Sequence, residues 1–182
     1  LLLFSGGKDS FLSACRLVEE GYEVSLITYS NGLDLNSNNI KNGANRLIKR
    51  YGKEKIKFLG IINTMGIWRN FLVPIYNLSF SNILNEYGDI SISQFNCLTC
   101  RVSMYLCSII LCKQAKINVV ADGAREDQAF VIELPDMIKR FRNLFENYKI
   151  RFITPVYGLN SDWEEKNQLL MKGFSSKVTE SQ

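Results

Sequence analysis

The segment that decides the fold reads Phe4-Ser5-Gly6-Gly7-Lys8-Asp9-Ser10. It follows the apolar run 1–4 and opens a stretch, 9–20, with helical character, so the chain passes from a strand through two glycines into a helix. Glycine lets the backbone approach a ligand closely, and the N–H groups and dipole of a helix start favour negative charge. The pattern therefore predicts a binding site for phosphate or pyrophosphate.

Two common phosphate-binding loops do not fit this segment. A Walker loop needs G-x-x-x-x-G-K-[ST] and a dinucleotide-binding loop needs G-x-G-x-x-G, and neither spacing is present. A turn that uses glycine for its geometry alone is the remaining alternative. The six residues 5–10, S-G-G-K-D-S, resemble the PP-loop motif of the ATP pyrophosphatase superfamily.

Length and composition indicate a single globular domain over residues 1–182. The chain is 46% hydrophobic and 22% charged, which is ordinary for such a domain. We see no apolar run near the ~18 residues that span a membrane and no signal-peptide pattern, so we expect a cytoplasmic protein without a membrane partner. The sequence does not start with Met and is compatible with a fragment of a longer chain.

The formal net charge of +4 is compatible with a nucleotide or RNA partner without requiring one. Basic residues are concentrated in the segments 41–57 and 139–151. These segments are either solvated helix faces or a nucleic-acid surface, and the sequence leaves both readings open.

Histidine is absent, which excludes His-dependent nucleophilic catalysis and His metal sites from this chain. Proton transfer must therefore use carboxylates, Lys, Cys, Tyr, water or the substrate. The odd number of cysteines, five, favours a reducing compartment over a disulfide framework. We expect Cys15, Cys107 and Cys112 to pack as small apolar residues.

Strand and helix signals alternate along the chain, which predicts an α/β fold with a parallel sheet covered by helices on both faces. The predicted strands are 1–4, 23–29, 55–62, 117–121 and 150–154, and the predicted helices are 9–20, 40–51, 97–116, most of 126–148, and 162–172. Within 126–148, Pro135 is expected to limit the start of the helix or to break it. The segment 63–94 is broken by Gly66, Pro74 and Gly88 and predicts one or two short helices. With the strand order 3-2-1-4-5, which is that of the PP-loop superfamily and its doubly wound, HUP-like fold, the ends of strands one and four flank one crevice.

The resemblance implies an enzyme that uses ATP and Mg²⁺ to adenylate a substrate oxygen and releases pyrophosphate. It implies that Ser5, Gly6, Gly7, Lys8, Asp9 and Ser10 hold the phosphates, and that Asp9 is also the Mg²⁺ ligand. Thr28 and Tyr29, at the end of the second strand, would lie against the adenine. Gly123 would let the turn after the fourth strand approach the ribose or α-phosphate.

Cys97-Leu98-Thr99-Cys100-Arg101 is the second informative motif. We expect it at the start of the long helix, where the dipole and Arg101 favour a thiolate. Half of a zinc site and structural thiols are the alternatives. The spacing from this motif to the glycine turn resembles that of the tRNA thiouridylases, which implies that Cys97 carries sulfur as a persulfide and that Cys100 is its partner. Other relatives bind an iron–sulfur cluster through such cysteines, so zinc or a cluster on Cys97 and Cys100 stays open.

Two departures from the thiouridylase pattern bear on the substrate. Many thiouridylases have His after the glycine of this turn, whereas here Gly123 precedes Ala-Arg-Glu-Asp-Gln at 124–128, where Arg125, Asp127 or Gln128 could hold substrate. The stretch 154–158, T-P-V-Y-G, resembles the tail of sulfur-transferring and deazaguanine-modifying relatives. In some of them a further cysteine follows, which would lie beyond Gln182.

The sequence thus predicts ATP-dependent adenylation followed by sulfur transfer, with tRNA base thiolation as the expected reaction. The implied partners are ATP, tRNA and a sulfur donor protein or sulfide, and a homodimer is left open. One alternative is a ligase that uses ammonia, similar to deazaguanine nitrile synthase or the diphthamide ligases. Another is a nucleotide-binding regulatory protein without turnover.

Overall fold

The computed structural model describes residues 1–32, 37–70, 82, 91–128, 130–159 and 161–174. Five parallel strands form one sheet: β1 (Leu2–Leu3), β2 (Val24–Ser30), β3 (Ile56–Asn63), β4 (Val119–Ala121) and β5 (Arg151–Ile153). Their order is β3-β2-β1-β4-β5. The predicted fold class and strand order are confirmed.

The helices alternate with the strands along the chain. They are α1 (Lys8–Glu19), α2 (Ser37–Tyr51), α3 (65–70), α4 (Ile92–Ala115), α5 (Pro135–Glu146) and α6 (Asp162–Met171), with 3-10 turns at Glu126–Gln128 and Val131–Glu133. The predicted limit at Pro135 for the helix within 126–148 is confirmed, because the helix begins there and two 3-10 turns precede it. Pro135 is the first residue of α5, where its missing N–H costs no helical hydrogen bond.

Each face of the sheet has its own apolar core because side chains alternate along a strand. Leu2 and Leu26 pack with α1, α2 and α6, whereas Leu3 and Ile27 pack with α4 and α5. Strands buried on both faces are the reason why the sequence shows continuous apolar runs at these positions.

One irregularity in β3 was not predicted from the sequence. Leu26 pairs with Phe58 and Ile27 with Gly60, so Leu59 is an extra residue and forms a bulge. Gly60 has φ +119°, a backbone conformation that other residues rarely adopt.

Helix α4 corrects two expectations. It begins at Ile92 rather than Cys97, because Ser91 and Gln94 form a capping box at its start. In addition, Ser93–Ala115 is long and apolar enough by length and composition to cross a bilayer, which the sequence reading overlooked. In the structure this helix lies on the sheet, where its Tyr105 and Ile109 are buried.

Most of the segment from 63 to 94 lies outside the described residues. Within it, residues 65–70 are helical, in keeping with one of the predicted short helices. Helix α2 begins at Ser37, three residues before the predicted start at 40.

Candidate functional site

A cavity of about 500 Å³ lies at the carboxyl ends of β1, β2 and β4. This is the edge of a parallel sheet at which ligands bind when the strand order reverses, as it does here beside β1. The cavity is lined by residues from the glycine loop, the end of β2, the helices α3 and α4, and the turn after β4: Leu3, Phe4, Ser5, Asp9, Ser10, Ile27, Thr28, Tyr29, Asn31, Trp68, Asn96, Cys97, Cys100, Arg101, Met104, Asp122, Gly123, Gln128, Ile132 and Glu133.

The glycine loop has the geometry of an anion-binding turn. Gly6 has φ +81°, and Gly7 is the N-cap of α1 but provides no side-chain cap. The first N–H groups of a helix lack partners within the helix, so those of α1 remain for a ligand. Ser5 Oγ accepts a hydrogen bond from the Gly7 N–H (3.2 Å), and Ser10 Oγ donates to the Gly7 carbonyl (2.9 Å). The loop therefore fits a polyphosphate at this helix start.

The two charged residues of the loop are held by ion pairs. Lys8 Nζ lies 3.3 Å from Asp162 and 3.7 Å from Glu165, both on α6. Asp9 lines the cavity and accepts hydrogen bonds from Arg125 (3.2 Å) and Gln128 (3.3 Å). The predicted phosphate contact of Lys8 requires this side chain to leave α6, and the role of Asp9 as a Mg²⁺ ligand stays a prediction.

Arg125 is buried, with 1% of its side chain exposed, and it does not line the cavity. Its guanidinium contacts four carboxylates, namely Asp9 (3.2 Å), Asp127 (2.5 Å), Asp162 (2.9 Å) and Glu165 (2.9 Å). In this arrangement Arg125 binds α6 to the glycine loop. The predicted roles of Arg125 and Asp127 in holding a nucleotide or substrate would require both residues to give up these contacts.

Glu165 is the most buried of the four carboxylates that contact Arg125. Its side chain is fully buried, and its Oε1 has no hydrogen-bond partner among the described residues. Burial, followed by the nearby charge of Asp9, raises the pKa of Glu165 to about 8 although Arg125 and Lys8 lower it. A proton on Glu165 would relieve the repulsion between its carboxyl and that of Asp9.

Gly123 lines the cavity, and its lack of a side chain allows close packing against the start of α1. A Cβ atom at this position would lie 2.9 Å from the Ser10 backbone nitrogen and 3.1 Å from the Asp9 carbonyl carbon. Glycine therefore lets the turn after β4 pack directly against the start of α1. The predicted approach to a ribose or α-phosphate stays a prediction beside this observed role.

Thr28 and Tyr29 both line the cavity, as predicted for residues beside a base. Their polar groups are engaged elsewhere, since Thr28 Oγ1 donates to the Phe4 carbonyl (2.5 Å) and Tyr29 Oη lies 2.9 Å from Ser108 Oγ. Both residues therefore form a well-fixed part of the cavity wall. An adenine at this position would make packing contacts with them, because their polar groups are already hydrogen-bonded.

Cys97 and Cys100 line the same cavity as the glycine loop. Because α4 begins at Ile92, Cys97 lies in its second turn, beyond the reach of the helix dipole at the first turn. Burial raises the pKa of Cys100, outweighing the hydrogen bond from Asn31 (3.4 Å) and the charge of Arg101. Burial therefore favours the neutral thiol of Cys100, while Cys97 is exposed and accessible.

No group of three or more Cys, Asp or Glu side chains within the described residues is arranged to hold a metal ion. A zinc or iron–sulfur site on Cys97 and Cys100 would need ligands from elsewhere, and it stays a prediction. Cys15 and Cys112 are buried, as expected for core residues, and Cys107 is half-buried.

Several lining residues were not predicted to belong to the site. Arg101 donates to Asp122 Oδ2 (2.7 Å), and Tyr105 Oη donates to the same oxygen (2.5 Å). Burial alone would lower the pKa of Arg101, but Asp122 raises it above its usual range. Asp122 directly follows β4, and a carboxylate after a buried strand was a signal that could have identified it. Nothing in the local sequence marks Glu133 or Trp68.

The basic residues of the two segments are exposed and do not line this cavity. The side chains of Lys41, Arg46, Arg50 and Lys57 are all solvent-exposed. Arg142, Lys149 and Arg151 border a groove at the opposite edge of the sheet, beside Asn118 and the start of β4. Their exposure is compatible both with solvated helix faces and with a nucleic-acid surface, and RNA binding stays a prediction.

Neither a family model nor a curated protein matches this chain by sequence. Among solved structures, the chain is similar to one from Methanocaldococcus jannaschii described as a predicted subunit of tRNA methyltransferase. The TM-score is 0.52 at 22% identity, and the match covers 98% of this chain and 90% of that chain. At this identity the likeness shows a shared fold, which agrees with the HUP-like sheet described above.

Proposed function

We propose that this protein is an AMP-forming ATP pyrophosphatase that adenylates a substrate oxygen and then passes sulfur to the activated carbon, with tRNA as the substrate. The observation that carries this proposal is the shared cavity. Ser5, Asp9 and Ser10 line one part of it, and Cys97 and Cys100 line another. A nucleotide on the loop and a sulfur on a thiol would thus share one cavity.

ATP with Mg²⁺ would be held by the start of α1 and by Asp9. The uncapped N–H groups of the first turn would bind the phosphates, and the Asp9 carboxylate is the kind of ligand that Mg²⁺ prefers. When bound, the nucleotide supplies the α-phosphorus that the substrate oxygen attacks. The protein's own contribution is to hold that oxygen near the loop and to exclude water from the cavity.

The nucleophile of the second step is assigned to Cys97 because it is exposed within the cavity wall, whereas burial raises the pKa of Cys100. Asn31 donates to Cys100 Sγ (3.4 Å) and so fixes the orientation of the second thiol. The sulfur would be carried as a persulfide on Cys97, and Cys100 would then attack Cys97 Sγ and break its S–S bond, so that the outer sulfur stays on the substrate and the two cysteines form a disulfide. The structural neighbour is described as a predicted subunit of tRNA methyltransferase, which supports tRNA as the substrate class.

The test measures pyrophosphate release from ATP with and without bulk tRNA, followed by sulfur incorporation into the RNA. We expect release that depends on tRNA in the native protein and in Cys97→Ser, and sulfur incorporation in the native protein alone. Cys107→Ser is the matched control, because Cys107 lies on the same helix but does not line the cavity. Release that requires ammonium rather than a sulfur donor would identify the ammonia-using ligase instead.

A nucleotide-binding protein without turnover is the second candidate, and one observation favours it. Lys8 and Asp9 are both engaged in ion pairs and would have to be released to act on phosphates. ATP binding without pyrophosphate release, with any RNA, would support this candidate and contradict the first. Metal analysis of anaerobically purified protein would separate persulfide chemistry from zinc or a cluster.

A further inference from the structure

The start of α6 lies against the glycine loop and is joined to it by charged side chains. Asp162 uses both of its carboxylate oxygens, because Oδ2 lies 3.3 Å from Lys8 Nζ and Oδ1 accepts a hydrogen bond from Arg125 Nη1 (2.9 Å). Glu165 Oε2 contacts the same two cations, at 3.7 Å from Lys8 and 2.9 Å from Arg125. Two carboxylates on α6 therefore bridge a cation of the loop and a cation of the turn after β4.

These contacts keep the Lys8 side chain out of the cavity. Ser5, Asp9 and Ser10 line the cavity, whereas Lys8 does not, although it lies between them in the sequence. Lys8 is also the first residue of α1, where the positive end of the helix dipole disfavours a cation unless an anion lies beside it. A phosphate could be that anion, but in this structure the carboxylates of α6 supply it.

The two ends of α6 are attached in different ways. Near its C-terminal end Leu169 is buried in the core, and beyond the helix Phe174 packs edge-on against Phe11 with ring centroids 4.7 Å apart. At the start of the helix the contacts with the loop are ionic, the Asp162 side chain is 65% exposed, and the neighbouring Trp163 is 74% exposed. The start of α6 can therefore separate from the loop while its C-terminal end stays packed.

We propose that the start of α6 is an autoinhibitory element, in which Asp162 and Glu165 hold Lys8 out of the cavity until a polyphosphate binds to the glycine loop. This inference rests on the nucleotide binding of the proposed function but not on the chemistry that follows it. The protein then has two arrangements, one with Lys8 on α6 and one with Lys8 on the ligand. Because Lys8 does not line the cavity while it contacts α6, the nucleotide and α6 compete for it.

Competition for Lys8 couples the loop to α6, and such coupling is reciprocal. Weakening the contact on α6 strengthens nucleotide binding, and nucleotide binding loosens the start of α6. The apparent dissociation constant is the intrinsic one divided by the fraction of protein in the competent arrangement. A variant that lacks the carboxylates of α6 raises that fraction and so binds the nucleotide more tightly.

Asp162→Asn is the informative variant, because it keeps the shape of the side chain and removes its charge. We expect the affinity for Mg²⁺ with a non-hydrolysable ATP analogue, measured by titration calorimetry, to rise about two- to fivefold, since partly exposed ion pairs are weak. Adding Glu165→Gln should raise it about tenfold or more, because that carboxylate is buried. Asp136→Asn is the matched control and should leave the affinity unchanged, since Asp136 lies in the first turn of α5 as Asp162 does in that of α6.

Lys8→Met separates competition for Lys8 from simple repulsion between Asp162 and the phosphates. If Asp162 acts by holding Lys8, then Asp162→Asn should not strengthen nucleotide binding once Lys8 has been replaced by methionine. Repulsion between a carboxylate and a phosphate would persist in that background. The double-mutant cycle therefore assigns the effect to the contact between Lys8 and α6.

Amide hydrogen exchange reports on α6 directly. We expect the ATP analogue with Mg²⁺ to speed up exchange at residues 164–166 about threefold or more and to leave residues 168–171 unchanged, because the C-terminal end stays packed. Lys8→Met should speed up exchange at 164–166 without any nucleotide, since it removes one of the two cations that hold the start of the helix.

Three results would overturn the inference: unchanged nucleotide affinity in Asp162→Asn and in the double variant, an equal gain in the Lys8→Met background, or unchanged or slower exchange at 164–166 when the nucleotide binds. If neither the native protein nor any of these variants binds the analogue, the proposed function fails as well. A native protein that binds it with no effect of Asp162→Asn would contradict the autoinhibition alone, so the two failures are distinguishable. Thermal unfolding checks that each variant is folded.

Discussion

Replacing Gly123 by alanine should separate the turn after β4 from the glycine loop. The added Cβ would lie 2.9 Å from the Ser10 backbone nitrogen and 3.2 Å from Asp9 Cβ. Ordinary contact begins near 3.4 Å, and the opposing atoms belong to the backbone of α1, so the two segments must move apart by about 0.5 Å. Overpacking of this kind costs about 1–3 kcal/mol, or about 2–12 °C in melting temperature for a chain of this size.

The same displacement moves the predicted phosphate-binding loop, so we expect ATP affinity to fall about tenfold or more. Differential scanning fluorimetry gives the stability, and titration calorimetry with Mg²⁺–ATP gives the affinity. Gly158→Ala is the control, because a Cβ there meets no atom within 4 Å and the backbone is not in the left-handed region. If Gly123→Ala is as stable as Gly158→Ala and binds ATP equally, the close packing of this turn on the loop is not needed for the site.

Four further predictions concern other parts of the structure. Arg125→Met should lower the free energy of unfolding by about 3–5 kcal/mol, measured by urea denaturation, because it removes the guanidinium that lies 2.9 Å from the buried Glu165 carboxylate. Ser91→Ala should lower it by about 0.5–2 kcal/mol by removing the cap of α4, with loss of helical circular dichroism as the local readout. In mass-spectrometric labelling with iodoacetamide at pH 8, Cys97 should react and Cys15 should not, because Cys15 is fully buried and burial raises its pKa to about 11. Removing Mg²⁺ with a chelator should weaken ATP binding at least tenfold in calorimetry, whereas unchanged affinity would show that no cation accompanies the nucleotide.

The sheet order and the loop could be predicted because their signals are local. Apolar runs identify the strands, and residues 5–10 alone identify the turn into α1. The start of α4 was predicted too late, because the regular apolar pattern lies further along the helix. The capping box of Ser91 and Gln94 is the signal in the sequence that marks the true start. That single error placed Cys97 at a helix dipole where it does not lie.

The contacts of Arg125 and Glu133 could not be predicted because they depend on distant segments. Arg125 pairs with Asp162 on α6, which lies 37 positions later in the chain. No periodic pattern in either segment predicts this contact. Glu133 reaches the cavity from a 3-10 turn directly before α5, and no local sequence signal predicts this turn. Which polar side chains reach the cavity depends on how distant segments pack together. The local sequence around each residue does not contain this information.

The charges around the loop explain why a cation should accompany the nucleotide. Lys8 and Arg125 are surrounded by four carboxylates, those of Asp9, Asp127, Asp162 and Glu165. Even with a proton on Glu165, whose pKa burial and Asp9 raise to about 8, this cluster carries an excess of negative charge. A polyphosphate would be repelled by Asp9 unless a divalent cation lay between them. The cation would also compete with Arg125 for Asp9, so that binding of the nucleotide and loosening of α6 from the loop would be coupled.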